Sequence, residues 1–142
     1  MPRGKLNRQG KRSKFEVRVA KELDDAGVKY EYETLQLEYQ EPLRKNLAQC
    51  GECGSKFLLR TGRYTPDFVL PNGIIIEAKG KFDAADRRKM LAVRAGHPTR
   101  RIVFYFMRDN RIARRSNTYY SDWCMNNDYD FSIGQLKQEW LA

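Results

Sequence analysis

The hydrophobic pattern changes period several times along the chain. Residues 13–26 carry apolar side chains at helical spacing, with Phe15, Val19 and Leu23 in a stripe and Ala20 beside it. Ser13 is a good N-cap, and Gly27 suits the left-handed position that follows a helix. Residues 28–33 alternate strictly. Val28, Tyr30 and Tyr32 fall on one side and Lys29, Glu31 and Glu33 on the other, which predicts a half-buried strand. Leu35, Leu37 and Tyr39 keep the alternation with its parity flipped, so a bulge or break is expected near Glu33 and Thr34. Residues 42–62 show no regular pattern.

Two apolar runs follow, residues 65–70 and 74–79, on either side of Pro71-Asn72-Gly73. They predict a hairpin. Pro71 suits the second position of a type I turn, Asn72 the third, and Gly73 the left-handed residue after it, which makes a three-residue loop with a bulge. That loop sets Leu70 opposite Ile74, Phe68 opposite Ile76 and Asp67 opposite Glu77. Directly opposed residues share a face, and Lys79 shares it with Glu77 by the period of two. A two-residue loop would slip the register by one and send the two carboxylates to opposite faces.

Beyond the hairpin, residues 83–95 predict a helix with Asp83 as N-cap. Phe82, Ala85, Met90, Leu91 and Val93 are its apolar positions, and Gly96-His97-Pro98 its stop. Residues 101–107 are nearly all apolar, as in a strand buried in mid-sheet, with the preceding helix as the cross-over. Residues 110–117 read as a basic loop and 121–126 as a short helix with Tyr120, Trp123 and Cys124 inward. Residues 129–131 suit a short strand, and 135–141 a closing helix anchored by Leu136 and Trp140. Together these predict an α/β fold, a mixed central sheet flanked by helices. One folded unit spans residues 13–142, behind a flexible arm of residues 1–12 and with an irregular insertion at about 40–62.

Composition sharpens the picture. Hydrophobic residues make up 41% and aromatic residues 12%, as expected of a globular chain. No apolar run approaches a membrane span, so no membrane partner is expected. The basic N-terminus lacks the apolar segment of a secretory signal, which makes the cytoplasm the default compartment. Lysine and arginine number 27 against 18 acids, a net charge of +9. The cations cluster: Arg3, Lys5, Arg8, Lys11, Arg12, Lys14 and Arg18 near the start, and Arg108, Arg111, Arg114 and Arg115 later on. A merely solvated surface is one reading. A phosphate backbone is the sharper one, because Lys and Arg contacts release counterions and supply most non-specific affinity.

The hairpin carries the candidate chemistry. Two adjacent carboxylates repel, and a cation between them keeps both ionised. Hard ions such as Mg²⁺ take carboxylate oxygens and keep several waters. Lys79 can orient an attacking water or neutralise charge on a phosphate. Pro66-Asp67, nine intervening residues, then Glu77-Ala78-Lys79 is the pattern of PD-(D/E)xK nucleases. A solvated strand with alternating Glu and Lys is the bland alternative. The Pro-Asp pair, the turn and the apolar Ile74-Ile75-Ile76 favour catalysis.

Glu16 stands three residues after Ser13, the spacing of a capping box, yet it also shares a helix face with Ala20 and Leu23. Cys50-Gly51-Glu52-Cys53-Gly54 has the shape of half a zinc knuckle. Cys124 and His97 could complete a structural Zn²⁺ site within the chain, or a second chain could supply its own pair at a dimer axis. Free thiols or a redox pair are the alternatives.

With these residues placed, the chain resembles the phage endonuclease I family, the Holliday-junction resolving enzymes of short-tailed phages. The resemblance runs through the Glu16 helix, Gly27-Val28-Lys29-Tyr30-Glu31-Tyr32-Glu33, and Tyr64-Thr65-Pro66-Asp67-Phe68 to Glu77-Ala78-Lys79-Gly80. It continues through Asp86-Arg87-Arg88-Lys89, His97-Pro98, Arg101-Ile102-Val103-Phe104 and Glu139-Trp140. It implies a restriction-endonuclease-like core in an intertwined homodimer that cuts branched DNA, above all four-way junctions, with Mg²⁺ or Mn²⁺. It places the family's metal-site carboxylates and lysine on Asp67, Glu77 and Lys79, its helix glutamate on Glu16, and a further glutamate on Glu31. It also implies that Glu16 reaches the other chain's Asp67 and Glu77, and that a phage-encoded enzyme works in the host cytoplasm. The chain departs from the pattern between Glu33 and Asp67, where the linking segment is longer and carries Cys50 and Cys53. Two other readings stay open: a sequence-specific or repair endonuclease with the same core, and a zinc-bearing DNA-binding protein without catalysis.

Overall fold

A computed structural model describes residues 13–42 and 59–142. In chain order they form α1 (Lys14–Asp25), β1 (Glu31–Tyr32), β2 (Leu37–Pro42), β3 (Leu59–Tyr64), β4 (Phe68–Val69) and β5 (Ile75–Lys79). Then come α2 (Ala84–Gly96), β6 (Ile102–Phe106), α3 (Tyr120–Asn126), β7 (Asp130–Ile133) and a 3-10 turn, Gln138–Leu141. The central sheet has the order β1-β4-β5-β6-β7. β1, β4 and β5 run antiparallel, while β5, β6 and β7 run parallel, so the sheet is mixed. β2 and β3 form a separate antiparallel pair.

Local chemistry sets the elements. Ser13 Oγ accepts from Glu16 N at 3.1 Å and starts α1, and Gly27 ends it at φ +71°. Asp83 and Asp86 cap α2 reciprocally. The β4–β5 turn is the expected three-residue loop. Leu70 N donates to Ile74 O and Gly73 N to Leu70 O, both at 2.9 Å, with Gly73 at φ +89°. Asn72 clamps the turn to the C-terminus by donating to Trp140 O at 2.8 Å and Ala142 O at 2.9 Å.

Alternation along the strands divides the core in two. Ile76, Ala78, Phe68, Val103 and Tyr105 face α1 and the C-terminal Trp140. Ile75, Ile102, Phe104 and Phe106 face α2, α3 and the β2–β3 pair. The parity break falls where expected: Glu33 adopts φ +54°. Tyr32 before it packs on the α1 side, and Leu37 and Tyr39 after it pack on the α2 side. β6 is buried at every position.

Four expectations need correction. The strand expected over 28–33 is laddered only at Glu31–Tyr32, although Val28 and Tyr30 still pack against the core. The segment up to Gly62, expected to be irregular, contains the start of β3, which runs on to Tyr64. Gly62 is required there, since a Cβ would lie 2.4 Å from Tyr39 Cζ. Ala85 is exposed, because α2 turns Met90 and Val93 inward instead. The closing helix shrinks to a single 3-10 turn, still anchored by buried Leu136 and Trp140. Among the described residues no helix is long and apolar enough to cross a membrane.

Candidate active site

Asp67 and Glu77 are 2% and 1% exposed, an unusual depth for carboxylates. The register brings them together. Phe68 pairs with Ile76, so one step further along the ladder Asp67 stands opposite Glu77. Asp67 Oδ2 accepts from Ala78 N at 3.0 Å, which locks it against β5. Glu77 Oε1 lies 3.3 Å from Lys79 Nζ, as the period of two requires, and Oε2 accepts from Tyr64 Oη at 2.5 Å. Lys79 Nζ also lies 3.7 Å from Asp86 Oδ1, at the N-terminus of α2. Burial first, then the charge of Glu77, pushes the Tyr64 hydroxyl well above its ordinary pKa, so it remains a proton donor.

The remaining expected residues fall as follows. Glu31 pairs with Val69, which puts it diagonal to Asp67 on the same face; it is exposed and accepts from Thr34 Oγ1 at 2.9 Å. The Glu16 carboxylate is half-buried and accepts from Tyr32 Oη. It enters from the α1 side, while Glu77 points to the α2 side. No group of three or more His, Cys, Asp or Glu side chains is gathered for a metal among the described residues.

Arg108, Arg111, Arg114 and Arg115 are exposed on a loop that leaves the sheet beside the site, where Met107 N donates to Lys79 O at 3.3 Å. Arg87 fastens that loop to α2 by donating to Phe82 O at 2.7 Å and Ile112 O at 3.4 Å. Lys14 is exposed on the first turn of α1. Arg3, Lys5, Arg8, Lys11, Arg12, Cys50 and Cys53 lie outside the described residues. Cys124 is fully buried, and burial pushes its thiol up to about 12. His97 Nε2 lies 2.6 Å from Glu38 O.

Sequence reasoning gave no role to Tyr64 or Asp86. For Tyr64, its place directly ahead of Thr-Pro-Asp was the only available sign. Asp86 has the pattern of an ordinary first-turn acid.

Buried carboxylates, a neighbouring ammonium and a flanking arginine loop are parts suited to cleaving a phosphodiester. The chain matches the phage endonuclease I family over residues 57–142. It is 34% identical over 132 residues to Endonuclease I of Escherichia phage T7, covering 92% of this chain and 77% of that protein. It is 38% identical over 115 residues to Endodeoxyribonuclease 1 of Enterobacteria phage T3, covering 80% of this chain and 64% of that protein. The chain belongs to the phage endonuclease I family and is an endonuclease.

Proposed function

We propose that the chain is a structure-selective DNA endonuclease that resolves four-way junctions and other branched DNA by phosphodiester hydrolysis. The buried Asp67–Glu77 pair, with Lys79 Nζ 3.3 Å from Glu77, carries this reading. Asp67 and Glu77 are hard oxygen donors of the kind Mg²⁺ or Mn²⁺ prefers, and they would hold such an ion. Such an ion supplies Lewis-acid polarisation of the phosphate and a more acidic water.

The side chains do the rest. Asp67 is held by Ala78 N and Glu77 by Tyr64 Oη. Lys79 Nζ lies between the Glu77 and Asp86 carboxylates, placed to stabilise charge on the phosphate or to orient the attacking water. Glu31, diagonal to Asp67, supports the site from its rim. Glu16 joins from a second chain, in a homodimer that exchanges N-terminal elements around a restriction-endonuclease-like core. The loop arginines and the basic arm grip the backbones of the junction arms. Recognition is by branch shape, since phosphate contacts carry no sequence information. The host cytoplasm is where such an enzyme would act.

The test is cleavage of a four-way junction beside a linear duplex of the same sequence, with Mg²⁺ and with EDTA. Paired, metal-dependent cuts near the branch and none on the duplex are expected. Equal cutting of both would leave an endonuclease without branch selectivity. Tight binding with no cutting under Mg²⁺ or Mn²⁺ would favour the non-catalytic reading.

A further inference from the structure

Glu77 is pinned at both oxygens. Oε1 faces Lys79 Nζ at 3.3 Å, and Oε2 accepts from Tyr64 Oη at 2.5 Å. The two partners arrive by different routes. Lys79 lies on the same strand, whereas Tyr64 ends β3, one strand of the separate two-stranded sheet. Tyr64 is itself tightly packed: it is 2% exposed, its ring carries Lys89 Nζ 5.5 Å from the centroid, and its partner across the ladder is buried Leu37. Three residues later the same segment delivers Asp67. One short stretch therefore supplies a carboxylate and fixes the orientation of the carboxylate opposite.

We propose that Tyr64 is a positioning residue: its hydroxyl sets the rotation of the Glu77 carboxylate so that the Asp67–Glu77 pair presents its oxygens to a divalent cation already oriented. The physical need is plain. A buried glutamate has three rotatable bonds and a like-charged neighbour, and left alone it would swing away from Asp67. A hydrogen bond to Oε2 prevents that and still leaves that oxygen a lone pair. Carboxylates that ligate metals are themselves typically hydrogen-bonded, and removing such a partner commonly costs metal affinity. The β2–β3 pair thereby gains a role, since it delivers the hydroxyl that orients the metal-facing carboxylate.

The inference rests on the reading of Asp67 and Glu77 as cation ligands, and the experiment separates the two. Mg²⁺ binding to the DNA-free protein is measured by calorimetry for wild type, Tyr64→Phe and Glu77→Gln. Junction cleavage is titrated with Mg²⁺ alongside, and thermal unfolding is recorded. Tyr64→Phe keeps the ring and loses only the hydroxyl. Its half-saturating Mg²⁺ is expected to rise roughly tenfold or more in both titrations. Cleavage at saturating Mg²⁺ is expected to stay within about threefold, with little change in Tm. Glu77→Gln is expected to lose the binding isotherm. If Glu77→Gln loses binding while Tyr64→Phe binds like wild type, the positioning role is overturned and the cation reading stands. If wild type binds no Mg²⁺, or Glu77→Gln binds as well as wild type, both fall. A Tyr64→Phe protein that unfolds assigns the hydroxyl to structure instead, and one that loses cleavage at every Mg²⁺ concentration with an unchanged isotherm assigns it to the reaction itself; either overturns the positioning role.

Discussion

On the α1 side of the central sheet, Val19, Leu23, Phe68, Ile76, Val103 and Trp140 are buried together, and polar atoms keep to the rim, where Tyr32 and Tyr105 reach Glu16 and Glu22. On the α2 side, Ile75, Phe104 and Phe106 are buried on the face that also carries Glu77 and Asp67. The same strands serve both sides, because alternate residues along β5 belong to different environments. Ile76 and Ala78 are ordinary core; Glu77 and Lys79 are not. Burying two carboxylates side by side costs stability, and the apolar cores on both faces of the sheet offset it. Both faces thus bury an apolar core, and only the α2 face adds the paired carboxylates.

The largest effect should come from combining the two sides. Glu16→Ala and Glu77→Ala chains are each expected to lose cleavage by on the order of a thousandfold. Co-refolded in equal amounts, they should recover nicking at roughly a quarter of the wild-type rate, because half the random dimers carry one intact composite site. No recovery would mean that each chain builds its site alone. Stability is expected to divide the other way. Leu23→Ala, on the α1 side, should cost about 2–5 kcal/mol in denaturant unfolding. Its cleavage per folded molecule should be unchanged. Glu77→Gln should leave stability nearly unchanged or raise it, since it relieves the repulsion with Asp67.

Charge outside the core gives smaller effects. Alanine at Arg108, Arg111, Arg114 and Arg115 should weaken junction binding and flatten its salt dependence, by about 0.9 in log-log slope for each phosphate left without its arginine. An unchanged slope would take this loop off the DNA. Smallest is Asp130, at the far edge of the sheet. Burial pushes its carboxyl up, but Lys137 and the Trp140 indole at 2.6 Å more than reverse that, so its pKa lies below the ordinary value. A depressed pKa contributes stability above the unfolded value near 3.9, and that contribution is lost as pH falls through the folded value. Asp130→Asn should therefore lower stability at neutral pH by roughly 1 kcal/mol and shrink its fall on acidification.

The hairpin was legible because a turn with few options fixes the register, and the register fixes which residues share a face. That is why Asp67, Glu77 and Lys79 could be grouped without coordinates. α1 and β6 were legible for the same reason: one period, one burial pattern. β3 was not. Arg60 and Thr61 are exposed and Gly62 is set by the ring of Tyr39, so nothing in the local pattern marks a strand. Its existence depends on its partner strand, β2. Tyr64 was hidden with it, because its hydroxyl reaches Glu77 from a second sheet. Asp86 was hidden by its cap, which explains the residue fully until Lys79 is seen 3.7 Å away.

Glu77 belongs, on this account, to the chemistry rather than to the grip on DNA. Measuring both binding and cleavage of one labelled four-way junction by Glu77→Ala, in the same Mg²⁺ buffer, tests that most directly. Junction affinity within about threefold of wild type, with cleavage reduced on the order of a thousandfold, is the expected result. Cleavage at the wild-type rate, with the variant folded, would contradict it.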